Sequence, residues 1–294
     1  MILAASGSAP PLIYLFNQLI QFLLLLGIIA NLVFWPRYFQ DVAGRAVADQ
    51  RVIWRPWNLR IVGNGMLALF ALGMPMVGLS RWLFGGQEAA WAELPTMEML
   101  ASGILFNVVG LIWVVWMLRR WRTGWRVGLD GPLGWFDCLA QGGFFYVLVM
   151  PLLHGVSVWS ARFLRWIGDP PEPQQFFTRL GESLVQEQGV PLLVVAGFAL
   201  MSVVLAPVFE ECLFRGMLFP ALLKQMRVLP AMLLMSGVFA LVHQNMGAFT
   251  SLFVLALVLH VAFVHTGSIR VAIVIHALHN LDNFLRFVAM QHLN

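Results

Sequence analysis

The chain has 294 residues, of which 60% are hydrophobic and 11% charged, with a mean hydropathy of +0.80. A soluble domain averages about a quarter charged residues, so this composition excludes an ordinary water-soluble globule. The net charge of +4 calls for no nucleic-acid partner, because the basic residues lie in loops between apolar runs, where they face anionic lipid.

Residues 1–12, MILAASGSAPPL, have no basic leading region, so no cleavable signal peptide is expected. Apolar runs follow at 12–35, 61–84, 99–118 and 135–159, each near or above the roughly 20 residues that cross a bilayer. Four more lie at 191–208, 229–245, 249–265 and 270–290. A helix satisfies its own backbone in lipid. The expectation is therefore all-α: a polytopic membrane bundle of about eight transmembrane helices. A polar stretch at 160–189, containing GDPPEPQQ, divides four accessory N-terminal helices (1–159) from a core of about four (190–294).

Arg37, Arg45, Arg51, Arg55 and Arg60 fall between the first two runs, and Arg119, Arg120, Arg122 and Arg126 after the third. Lys224, Arg227 and Arg270 continue the alternation, while the intervening loops are acidic. Positive-inside counting places these basic loops in the cytoplasm and both termini outside, in an inner or plasma membrane. Cys138 and Cys212 fall in or beside apolar runs and imply no disulfide framework.

The first four runs are nearly free of ionisable groups, but the last hundred residues are not. Glu210, Glu211, Arg215, His243, His260, His276, His279, Asn280, Asp282 and Arg286 all fall at membrane depth. Such residues are costly in lipid and mark a bundle interior or a wet cavity. In VFEECLFRG, Glu211 and Arg215 are four apart and share a helix face, so they read first as a structural pair. Glu210 points elsewhere and lacks a local counter-charge, a setting that suits a general base. Pro207 is expected to kink or interrupt the helix just before it. His243 lies on another run, and His276 and Asn280 share a face of the last. Asp282 and Arg286 read as a local pair, and His260 as a satisfied buried histidine. If these helices converge, Glu210 and His243 suffice to activate water, and His276 with Asn280 to stabilise an oxyanion.

The motifs EExxxR (Glu210, Glu211, Arg215), FxxxH (Phe239, His243) and HxxxN (His276, Asn280) occur in that order. They resemble those of the CPBP or Abi family, which includes CAAX prenyl endopeptidases of the Ras-converting-enzyme type and bacteriocin-processing relatives. HTGSIR (265–270) also looks like that family's linker, and the resemblance covers about 190–290. It implies a metal-independent glutamate-dependent intramembrane endopeptidase without a cofactor, its site reached from the cytoplasmic side. Glu210 and His243 would activate water, His276 and Asn280 would form the oxyanion site, and Glu211 and Arg215 would support them. The substrate would be a membrane-associated or lipidated peptide or protein tail.

Three alternatives stand beside this reading. Glu210, His243 and His276 could bind a divalent metal in a metal-dependent protease. The chain could be a non-catalytic scaffold or immunity-type binding protein, or a proton-coupled transporter, although no inverted repeat is visible. No HExxH or GxGD motif occurs.

Overall fold

A computed structural model describes residues 11–40, 57–67, 71, 95–120, 129, 133–168 and 192–291. These residues form an all-α membrane bundle. Its principal helices are α1 (Pro11–Gln40), α2 (Pro95–Arg120) and α3 (Trp135–Trp166), followed by α4 (Leu192–Leu222), α5 (Val228–Val242), α6 (Met246–Thr266) and α7 (Ile269–Gln291). A short helical segment at 59–67 is started by Asn58, whose side chain accepts from the Ile61 N–H at 3.1 Å. Five of the helices are long and apolar enough to cross a membrane. α5 has only 15 residues, and α7 carries the polar residues noted above. The expected second span, 61–84, lies mostly outside the described residues, as does most of the polar stretch. That stretch begins later than expected, because α3 stays helical to Trp166.

α3 runs through the centre, packing on α1, α6 and α7. Pro151 interrupts its backbone ladder, since proline has no N–H to offer the carbonyl four residues back. The loosened turn is used by α1. Asn31 donates both amide hydrogens, to the Leu148 carbonyl at 2.6 Å and to its own helix at Gly27 O at 2.7 Å. Its oxygen accepts from the Trp35 indole at 2.7 Å. The approach is close enough that a Cβ on Gly27 would lie 2.2 Å from the Val147 carbonyl oxygen. Asn31 thus bonds the carbonyl next to that of Val147, the one Pro151 leaves without its helical N–H.

The turn between α6 and α7 is HTGSIR. Gly267 adopts a left-handed φ of 67° and donates its N–H to Phe263 O at 2.8 Å, which ends α6. Thr266 donates to Ala262 O at 2.7 Å and accepts from the Ser268 N–H at 3.2 Å. Arg270 then donates to Leu133 O at 2.5 Å, with its guanidinium 5.0 Å from the Trp135 ring centre. The linker therefore fixes the start of α7 against the start of α3.

Pro207 does not break α4. The helix is continuous from Leu192 to Leu222, but two of its turns are π-helical, Met201–Leu205 before the glutamates and Phe214–Leu218 after them. A π turn absorbs one extra residue and changes which carbonyls are paired. That accommodates a proline without separating the chain into two helices, and it correspondingly corrects the expectation of a fresh helix start at Glu210.

Candidate active site

The two glutamates sit on the α-helical turn between the π turns of α4. As the spacing predicts, Arg215 donates to Glu211 Oε1 at 2.9 Å, both side chains being wholly buried. Arg215 also donates to the Ala256 carbonyl of α6 at 3.1 Å, and its guanidinium lies 5.0 Å from the Phe239 ring centre. The pair is thus more than a local clasp, since it ties α4 to α5 and α6. His260 donates to the same Ala256 carbonyl at 2.7 Å through Nδ1, while its Nε2 has no hydrogen-bond partner. It is buried as expected, although satisfied on one side only.

Glu211 Oε1 takes a second bond, from His276 Nδ1 of α7 at 2.8 Å. An arginine-paired carboxylate only accepts, so Nδ1 carries a proton and Nε2 is turned away from Glu211. That nitrogen lies 3.8 Å from Glu210 Oε2. His243 arrives from α5. Its Nδ1 contacts the Phe239 carbonyl at 2.6 Å, and a carbonyl can only accept, so here too Nε2 is the free face. It lies 4.0 Å from Glu210 Oε2. Glu210 Oε2 therefore stands between two imidazole nitrogens with no hydrogen-bond partner of its own. Glu210 and His243 remain about a quarter exposed, at 23% and 24%.

Asn280 does not join this cluster directly. Its amide donates to the Ser202 carbonyl at 2.8 Å, in the first π turn of α4. One amide hydrogen is spent there and a second remains. Asp282 and Arg286 pair with each other at 2.9 Å, as expected. Two contributors had no signal in the sequence, the carbonyls of Ser202 and Ala256. Phe239, the first residue of FxxxH, offers both the His243 acceptor and the Arg215 ring face. Among the described residues no group of three or more His, Cys, Asp or Glu side chains has a geometry that could hold a metal ion.

The fold and cluster define a membrane-embedded helical bundle with two carboxylates and two imidazoles gathered at the meeting of α4, α5 and α7. Residues 192–281 match the family described as type II CAAX prenyl endopeptidase Rce1-like. This segment is a domain of the CPBP/CAAX protease family, and at family level the match supports an intramembrane CAAX-type peptidase. No curated protein and no solved structure matches the chain.

Proposed function

We propose that the chain is a glutamate-dependent intramembrane endopeptidase in which Glu210 and His243 activate a water molecule. The observation that carries this reading is the unpartnered Glu210 Oε2, 4.0 Å from His243 Nε2. A water oxygen about 2.8 Å from both atoms can hydrogen-bond to each at once. Glu210 takes the proton, and the hydroxide attacks the substrate carbonyl carbon. The C–N bond then breaks as the proton passes to the leaving amine, giving a new carboxylate and a new N-terminus.

The oxyanion needs donors. The remaining amide hydrogen of Asn280 is one. In this reading His276 supplies another from Nε2, while Glu211 fixes the ring through Nδ1. One feature favours water activation by Glu210 over the metal reading. Glu210 Oε2 stands 3.8 and 4.0 Å from the two imidazole nitrogens, whereas ligands of a tetrahedral zinc, about 2.0–2.2 Å from the ion, sit only about 3.3 Å apart.

The test is cleavage of membrane-anchored peptide tails by purified protein, with and without chelator. Glu210→Gln should lower cleavage by about 10²–10⁴-fold, the usual contribution of a general base. It should leave melting unchanged, because the altered oxygen has no bond to lose. Activity in the variant, or activity that depends on added zinc, would defeat the proposal.

A further inference from the structure

α7 carries more polar groups than the proposed chemistry uses. His276, His279, Asn280 and Asn283 stand at i, i+3, i+4 and i+7, the spacing of one helical face. Ala277, Leu278, Leu281 and Leu285, on its other faces, are apolar. Asp282, beside the polar face, is satisfied by Arg286 at 2.9 Å. The face therefore extends the pair His276 and Asn280 by one turn, to His279 and Asn283, which have no role in the hydrolysis described above.

α7 starts at Ile269, so Asn283 lies 14 residues along it, about 21 Å at 1.5 Å per residue. It is nevertheless exposed, and an amide at that depth is costly against lipid, so it marks a polar space. Asn283 Nδ2 stands 3.0 Å from His279 Nε2. An amide nitrogen only donates, so Nε2 accepts and the His279 proton is on Nδ1. That bond fixes the carboxamide and leaves its Oδ1 and second amide hydrogen without a partner among the described residues. Beyond Asn283 the face closes. Phe287, four residues on, is 6% exposed and packs with Leu100, Val194, Phe198 and Phe284 in a separate apolar cluster. The polar strip thus runs from His276 to Asn283, a rise of about 10 Å, the length of about three residues of extended chain.

From this geometry we infer that Asn283, its carboxamide oriented by His279, binds the main chain of the substrate beside the scissile bond. This rests on the peptidase reading and names how the same site holds an extended peptide. Asn280 and Asn283 are about 4.5 Å apart along the helix, against about 3.3 Å per residue in an extended chain. With the scissile carbonyl oxygen at Asn280, the adjoining peptide group comes within reach of Asn283. A carboxamide matches a peptide group, since Oδ1 accepts the N–H and the remaining amide hydrogen is donated to the carbonyl. The side chain at that residue goes unread, so the substrate sequence is free to vary there, with one exception. Proline has no N–H to offer and is refused.

The test uses the purified full chain and a panel of lipid-anchored fluorescent peptide tails. Each tail is also made with single ester bonds replacing successive amides along it, the scissile bond being kept. An ester removes one N–H and preserves the extended shape. At one position beside the cut, the ester should lower the wild-type kcat/KM by about 10-fold, the contribution of one hydrogen bond. Asn283→Leu should lose about 10-fold on the all-amide tail, melt like wild type and show no further loss on that ester. His279→Leu should lose most of the difference between amide and ester, and His279→Gln, whose amide oxygen can accept the same bond, should restore it. The same tails are titrated against Glu210→Gln, with and without Asn283→Leu, so that affinity alone is read. There the all-amide tail should bind about 10-fold tighter than the ester, and only with Asn283 intact. An Asn283→Leu enzyme as active as wild type would overturn the inference, as would an ester loss equal in both or no amide–ester difference in either assay. Equal differences in His279→Leu and wild type would remove His279 from it. If the binding difference appears and no tail is cut, main-chain recognition stands and the peptidase reading falls.

Discussion

Replacing Glu211 by glutamine separates its role from that of Glu210. The exchange keeps shape and removes charge. It leaves the Arg215 guanidinium, wholly buried, with the Ala256 carbonyl but no counter-ion. Removing one member of a buried ion pair costs about 3–5 kcal/mol, mainly for the charge left behind. At roughly 2–4 °C per kcal/mol for large domains, melting should fall by on the order of 10 °C. Both native cysteines are buried, so a thiol-reactive fluorogenic dye in detergent reads unfolding directly. Glu211→Gln/Arg215→Met removes the pair together and should recover most of the loss, because neither charge is then stranded. Cleavage should stay low in both variants, since His276 Nδ1 has lost its carboxylate. A Glu211→Gln protein that melts like wild type would refute the reasoning, as would a double variant no better than the single one.

Other expectations follow from the same contacts. Asn280→Leu removes the donor to Ser202 O, and such bonds in membrane bundles average about 0.6 kcal/mol, so melting should change little. Cleavage should nevertheless fall by about 10²-fold if the amide serves the oxyanion, and unchanged cleavage would remove it from that role. Gly27→Ala drives a methyl to within 2.2 Å of the Val147 carbonyl and should cost about 1–3 kcal/mol by thermal melting. Gly143→Ala, on α3 where no neighbour lies within 4 Å, is the matched control and should be near neutral. Phe239→Leu keeps the carbonyl that orients His243 but removes the ring beside Arg215. It should lower melting more than cleavage per folded molecule, and the reverse would show that the ring serves the chemistry.

The sequence by itself determined what is local or compositional. Apolar runs of bilayer length imply helices, because lipid offers the backbone no other partner. Glu211–Arg215 and Asp282–Arg286 were legible because residues four apart must meet on a helix. The crowding of ionisable residues after residue 200 pointed to the functional half, since each is costly unless it has work or a partner.

Only the tertiary structure decided the rest. The Glu211–His276 bond joins residues 65 apart in sequence, and no helical periodicity could pair them. The acceptors at Ser202, Phe239 and Ala256 are backbone carbonyls, which every residue carries, so no residue type announces them. Pro207 signalled a break, yet the chain met it with a π turn, a choice made by the packing around α4. Pairing along a helix follows from its 3.6-residue turn, but convergence between helices follows from how their whole surfaces fit, which no short stretch of sequence contains.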